Sequence, residues 1–358
     1  VHSSGRSAEI PRLRRSSCAA PGIARRRRGH GFEYRDPDGE RIDDPEVVER
    51  IARLAIPPAW REVWVCMDPL GHLQATGLDA AGRKQYLYHE RWRVHRDRRK
   101  FGAMVAFGES LPALRRRVAR DLRFERAARV AAAELTEQRV LALAVRLLDL
   151  GFFRIGSEDY AERNESYGLT TMLREHVTVA AGEVVFDFPA KSGQRRVQAI
   201  ADPAALTLVA ALKRRRGSPQ LLAYRAGRAW RDLSAEQVNA YLKRCTEGDF
   251  TAKDFRTWNA TVLAAVALAG ASDPPARSAR EREREVKRAI KTVAAYLGNT
   301  PAVCRASYVD PRVIDRYHAG VTIADAIGQA GTDLGRPRVR TRIESAVLQL
   351  LEDAAVRG

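Results

Sequence analysis

The repeat of apolar residues changes near Asp97, and that change limits the fold more than any other feature of the chain. From about Gly31 to Val94 the apolar runs are short. Pro57 and Pro58 break the chain ahead of Trp60, then Val63, Val65 and Met67 alternate toward a turn at Asp68 to Gly71. Leu73, Ala75 and the stretch Tyr86 to Tyr88 follow as strands, joined across Asp79 to Gly82. Beyond Asp97 the period is 3.6: Val130, Leu135, Val140, Leu141, Ala144, Leu147 and Leu148 predict one long helix that Gly151 ends. Ser234 with Gln237, Thr251 with Asp254, and Thr341 with Glu344 have the spacing of capping boxes or their aspartate analogue. One interruption, Val177 to Ile200, alternates and turns at Ala181-Gly182 and Ser192-Gly193, which predicts a hairpin with Lys191 at its tip. The expected fold is α+β. Residues 1–28 form a basic, disordered arm, residues 29–97 a small, mostly β domain, and residues 98–358 a larger, mainly helical domain with a small β insertion.

A length of 358 residues allows about two domains with their own cores. There are 62 Lys+Arg against 44 Asp+Glu, a net charge of +18. Most of the excess is arginine, whose planar fork suits phosphate oxygens, so nucleic acid is the partner the charge indicates. An anionic membrane would also attract such a chain. No run of ~18 apolar residues and no apolar signal region is present, so a cytoplasmic protein without a membrane partner is expected. Cys18, Cys66, Cys245 and Cys304 form no C-x-x-C pair, which indicates neither a disulfide framework nor a zinc site. The stretch GRKQYLYHERWRVHRDRRK mixes cations with aromatic and amide side chains, giving Arg83, Lys84, Gln85, Tyr86, Tyr88, Arg91 and Arg93 as DNA-binding candidates. Arg277 to Lys291 reads as a charge-dense helix with a solvated face and local Glu to Arg pairs.

Five residues carry a possible chemistry: Tyr308 in CRASYVDP, Arg154 in FFRIG, Lys191 in FPAKSG, Arg256 in KDFRTW and Asn299 in YLGNTP. They supply an oxygen nucleophile, two guanidinium groups for a phosphate, an ammonium that can give up a proton, and a neutral hydrogen-bond donor. That is the requirement of a phosphodiester exchange. Arg154 stands inside an apolar run, where a charge is rare unless it is paired or used. Cys304 reads as a small buried residue. No P-loop motif and no acidic metal cluster accompany the set, so neither ATP nor a metal is expected to be required.

Taken in order, FFRIGSEDYAERNESYGLTTM, FDFPAKSGQRR, KDFRTWNATVLAA and LGNTPAVCRASYVDP resemble the type IB DNA topoisomerases, in the compact branch that includes the poxvirus enzymes and their bacterial relatives. DPEVVERIARL, IPPAW and GHLQATGLDAAGRKQYLYHERWR resemble the N-terminal part of that branch, and the likeness covers about residue 30 to residue 330. It implies a catalytic domain like those of tyrosine recombinases and topoisomerases, and ATP-independent relaxation of supercoiled duplex DNA. In that scheme Tyr308 attacks the scissile phosphorus to give a 3′-phosphotyrosyl enzyme and a 5′-hydroxyl. Arg154 and Arg256 hold the non-bridging oxygens, Lys191 protonates the departing 5′-oxygen, and Lys253 is auxiliary. Many members of the family carry histidine nine residues before the tyrosine; here Asn299 stands there, which leaves orientation and neutral hydrogen bonding. The resemblance further implies a monomeric, nucleoid-associated bacterial enzyme with no required cofactor, Mg²⁺ at most stimulating it. A clamp on double-stranded DNA would hinge at His95 to Lys100. A tyrosine site-specific recombinase, with a related Arg, Lys, Arg and Tyr set, is the alternative; the β character of the N-terminal region argues against it.

Overall fold

The computed structural model describes residues 12–123, 130–156, 158, 161, 165–270 and 278–355. Two compact units divide between Phe101 and Gly102. In the first, β1 (Ile23–Arg28), β2 (Gly31–Arg35), β3 (Arg61–Val65), β4 (Leu73–Leu78) and β5 (Lys84–Tyr88) form an antiparallel sheet in the order β2-β1-β3-β4-β5. Helix α1 (Pro45–Arg53) is capped by Asp44, with Pro45 in its first turn. The core gathers Ile23, Ile51, Val63, Val65 and Ala75.

The reading of residues 1–28 as a disordered arm is corrected over residues 12–28; residues 1–11 lie outside the described residues. Arg14 N donates to Leu70 O (2.9 Å), Ser16 Oγ to Leu73 O (2.9 Å), and Trp64 Nε1 to Ala20 O (3.0 Å). The arginine run belongs to a strand because its alternation gives each face a different environment. Ile23 enters the core, and Arg25, two residues on along the same face, donates to the carbonyls of Ile56, Pro57 and Trp60 (3.2, 3.1 and 2.7 Å) and lies 4.1 Å over the Phe32 ring, while Ala24 and Arg26 on the other face are exposed. Arg26, Arg27 and Arg28 remain in solvent.

Helix α2 (Glu90–Asp121) starts before Asp97, so the segment expected to act as a hinge, His95 to Lys100, is helical. In the second unit, α3 (Glu137–Leu150) begins after its cap Thr136 rather than at Val130. Val130 and Leu135 are buried on an approach that holds only a single 3-10 turn, Ala132–Glu134, which is why their spacing imitated a longer helix. A three-stranded sheet follows: β6 (Val177–Ala180), β7 (Glu183–Ala190) and β8 (Gln194–Ile200), in that order, with turns at Ala181-Gly182 and Lys191–Gly193. Then come α4 (Pro203–Arg214), the hairpin β9 (Ala223–Ala226) with β10 (Ala229–Asp232), α5 (Ala235–Thr246) and α6 (Ala252–Ala269). The chain continues through α7 (Ala279–Leu297), α8 (Pro301–Ser307), α9 (Pro311–His318), α10 (Ala324–Ala330) and α11 (Pro337–Ala355).

Ser234 and Thr251 form the capping boxes their spacing predicts. Thr341 does not: Pro337 opens α11 a turn earlier, and the Thr341 hydroxyl donates back to Pro337 O at 2.9 Å. On α7 the ion pairs of Glu283 are not local. This carboxylate meets Arg305 of α8 at 2.9 Å and His318 of α9 at 3.7 Å, so the charged face is used to hold neighbouring helices.

Helix α3 is buried almost all round, and α6 packs beside it. A buried ionic cluster ties α2, α3 and α11 together. Arg115 forks onto Asp149 (2.9 Å twice) and Glu344 (2.5 and 2.8 Å), and Arg340 reaches the same two carboxylates. Burial pushes the Asp149 carboxyl upward, but the charges of Arg340 and Arg115 outweigh it and hold the group below the ordinary range. Among the described residues no helix is long and apolar enough to cross a membrane.

Candidate active site

The site is assembled where α3, α6 and α7 end or turn. Past Gly151 the chain takes a left-handed step at Phe152 (φ 37°), and Phe153 drops into the core against Phe186 and Phe188 of β7, with ring centroids 4.9 and 6.2 Å away. Arg154 therefore stands on an anchored extended segment. Its carbonyl and that of Ile155 accept from Leu169 N and Thr170 N, each at 2.8 Å. The crossing depends on two glycines. Gly156 has φ +97°, and a Cβ on Gly168 would lie 2.4 Å from the Gly156 backbone.

Helix α7 ends at Gly298 (φ +60°), with Asn299 N donating to Ala294 O at 3.0 Å, a left-handed C-terminal cap. That end presents carbonyls toward the arginines. Arg154 donates to Gly298 O (3.0 Å) and to Asn299 Oδ1 (2.6 Å). A guanidinium only donates, so the Asn299 amide must turn its oxygen to Arg154, and its Nδ2 is left buried with no acceptor among the described residues. Arg256, from the interior of α6, is only 4% exposed. It donates to Leu297 O (2.9 Å) and to Phe152 O, its guanidinium carbon lies 5.1 Å from the Tyr308 ring centroid, and it hydrogen-bonds the Tyr308 side chain. Its Nε meets no acceptor among the described residues.

Tyr308 sits at the C-terminal end of α8, a helix started by Thr300 and Pro301, with Tyr308 N on Cys304 O at 3.0 Å. Behind it, Asp310 N donates to Thr261 Oγ1 (3.1 Å) and the Thr261 hydroxyl donates to Thr257 O (2.8 Å), fastening the segment to α6. Residues from three remote stretches, around 154, around 256 and from 297 to 308, thus meet at one helix end.

The electrostatics are those of crowded positive charge. Burial, then the charge of Arg154 and, more weakly, that of Arg196, lowers Arg256 to about 10, so it stays cationic at neutral pH under strain that a phosphate would relieve. Arg196 is lowered by burial and by Arg154. Burial raises the Cys304 thiol to about 11, which keeps it protonated and, as expected, a packing residue.

Lys191 is exposed on the turn after β7, the strand whose Phe186 and Phe188 receive Phe153, the neighbour of Arg154. Lys253 lies in the first turn of α6 at the surface, whereas Arg256, one turn on, is inside. Of the DNA-binding candidates, Lys84, Tyr86 and Tyr88 share one face of β5, with the Tyr86 and Tyr88 rings 6.3 Å apart. Arg83 and Gln85 both bind Asp79, at 2.9 Å each, and Arg91 and Arg93 lie in the first turn of α2. The sequence reading passed over Arg196, which donates to Tyr296 O at 2.6 Å. Its signal was available: in the hairpin register Arg196 pairs with Phe188, on the face that receives Phe153. Part of the GSEDYAERNES segment lies outside the described residues.

Residues 89–326 match the family model for the eukaryotic DNA topoisomerase I catalytic core, and residues 31–79 match that for the bacterial DNA topoisomerase IB N-terminal domain. The DNA topoisomerase 1B of Acanthamoeba polyphaga mimivirus is 31% identical over 312 residues, 83% of this chain and 87% of the relative.

Proposed function

Because this chain belongs to the type IB DNA topoisomerases, an isomerase family, we propose that it relaxes supercoiled duplex DNA by breaking and rejoining one strand through Tyr308. The observation that carries the reading is the meeting of Arg154, Arg256, Asn299 and Tyr308 at the C-terminal end of α7. The phenol releases its proton to solvent as its oxygen attacks the phosphorus, the bond to the 5′-oxygen breaks, and that oxygen leaves with a proton from Lys191, which solvent then reprotonates. Rejoining reverses each step. An ordinary phenol is protonated at neutral pH, so the guanidinium against Tyr308 serves to favour the developing phenolate.

As the phosphorus becomes five-coordinate, Arg154 and Arg256 hold the equatorial oxygens. Arg256 Nε and Asn299 Nδ2, without an acceptor among the described residues, are donors suited to the same oxygens. Lys253 adds charge at the rim. One phosphodiester is exchanged for another, so bond energy is conserved, and the enzyme works as a monomer without ATP, with Mg²⁺ at most stimulating turnover. Lys84, Tyr86, Tyr88, Arg91 and Arg93 contact the duplex backbone, and affinity falls steeply with salt.

The test is relaxation of a supercoiled plasmid in EDTA without nucleotide, with denaturant trapping of a protein–DNA adduct. Tyr308→Phe should abolish the adduct and retain duplex binding. An adduct in Tyr308→Phe would sink the assignment, and strand exchange confined to paired sites would favour a recombinase.

A further inference from the structure

Three arginines address three consecutive carbonyls at the end of α7: Arg196 donates to Tyr296 O (2.6 Å), Arg256 to Leu297 O (2.9 Å) and Arg154 to Gly298 O (3.0 Å). A helix C-terminus carries partial negative charge on such carbonyls and holds cations favourably. Two of these arginines are the proposed phosphate ligands. The third is not assigned any part in the reaction.

We propose that Arg196 is a positioning residue for strand cleavage: it fixes the turn at Tyr296 to Gly298 whose next two carbonyls orient Arg256 and Arg154. The inference rests on the proposed cleavage chemistry at that site. Arg196 is held on β8 opposite Phe188, so it joins the sheet that anchors Phe153 to the end of α7. It also presses on the turn itself. A Cβ at residue 298 would lie 2.4 Å from Arg196 Nη1, so the left-handed Gly298 both ends the helix and makes room for this guanidinium. Arg154 and Arg196 repel one another, and Arg154 also repels Arg256. Without a fixed anchor for each, that repulsion would spread them apart. The shared helix end keeps them assembled before DNA arrives, which is the preorganisation that phosphoryl transfer needs.

The experiment measures single-turnover cleavage, duplex Kd with its salt slope, and thermal stability for wild type, Arg196→Ala, Arg196→Lys and Gly298→Ala. Arg196→Ala should cleave about ten- to a hundredfold more slowly with Kd and salt slope unchanged, the signature of misplaced rather than missing phosphate ligands. Arg196→Lys should recover part of the rate, since an ammonium can still donate to Tyr296 O. Gly298→Ala should slow cleavage in wild type and by a smaller factor in the Arg196→Ala background, where its clash partner is gone. An Arg196→Ala rate equal to wild type overturns the proposal. So does a weakened Kd whose salt slope falls by about 0.9, which would make Arg196 a direct DNA contact, or a rate loss matched by loss of folded protein. A wild type that forms no adduct would instead overturn the cleavage reading itself.

Discussion

Replacing Arg256 by glutamine should separate stability from activity. In the folded protein burial and the neighbouring Arg154 and Arg196 lower Arg256 from the ordinary arginine value to about 10, although Tyr308 pulls the other way. Both folded and unfolded chains carry the proton at neutral pH. A cation with a depressed folded pKa opposes folding fully below that pKa, and the opposition fades as pH rises above about 10 toward the ordinary arginine value. At pH 7 it amounts to roughly 3 kcal/mol, at 1.36 kcal/mol per unit. Glutamine removes the charge and can still donate to one of the two carbonyls, Phe152 O or Leu297 O. The other acceptor, left unsatisfied, costs about 1 to 3 kcal/mol. The two effects nearly cancel, so Tm in a scanning calorimeter should stay within about 4 °C of wild type. Cleavage should fall by about two to three orders of magnitude, the loss typical of one transition-state donor. A drop in Tm beyond about 10 °C would refute this balance between burial, repulsion and lost hydrogen bonding, and cleavage within tenfold of wild type would refute the role of Arg256 on the phosphate.

Three further outcomes follow from other parts of the structure. Gly168→Ala places a Cβ 2.4 Å from the Gly156 backbone and should destabilise the protein by about 2 kcal/mol or more in urea titration, with slower cleavage as Arg154 loses its support. Asp149→Asn leaves Arg115 and Arg340 short of a buried carboxylate and should cost about 3 to 5 kcal/mol at pH 7. Because the Asp149 pKa is depressed on folding, its contribution is present above the unfolded value and lost as pH falls through the folded one; urea midpoints of variant and wild type should therefore converge in acid. Thr261→Val removes the acceptor of Asp310 N and should lower stability by about 1 to 3 kcal/mol, measured by urea midpoint, with the larger loss in cleavage rate if the Tyr308 segment moves.

The sequence by itself determined the division into a β-rich and a helical part and the chemical inventory, but not strand β1 or the β9–β10 hairpin, which it left unread. Periods of two and 3.6 are local consequences of backbone geometry, so the β-rich first unit, the helical second one, the Val177 to Ile200 strands and the caps at Ser234 and Thr251 could be read directly. The side chains that pointed to phosphodiester exchange were equally legible, because Tyr308, Arg154, Arg256 and Asn299 are defined by residue type. Where local signals conflicted with long-range packing, the sequence reading failed. The arginine-rich start became strand β1 because neighbouring strands and carbonyls receive it, and Thr341 fell inside a helix that Pro337 had already opened. Only the tertiary structure decided that three arginines share one helix end, that Asn299 faces Arg154 with its oxygen, and that Arg196 takes part at all. The partners in those bonds are backbone carbonyls and a left-handed turn. Every residue has a carbonyl, so no residue type marks the ones that matter; their role exists only once the fold has aimed them.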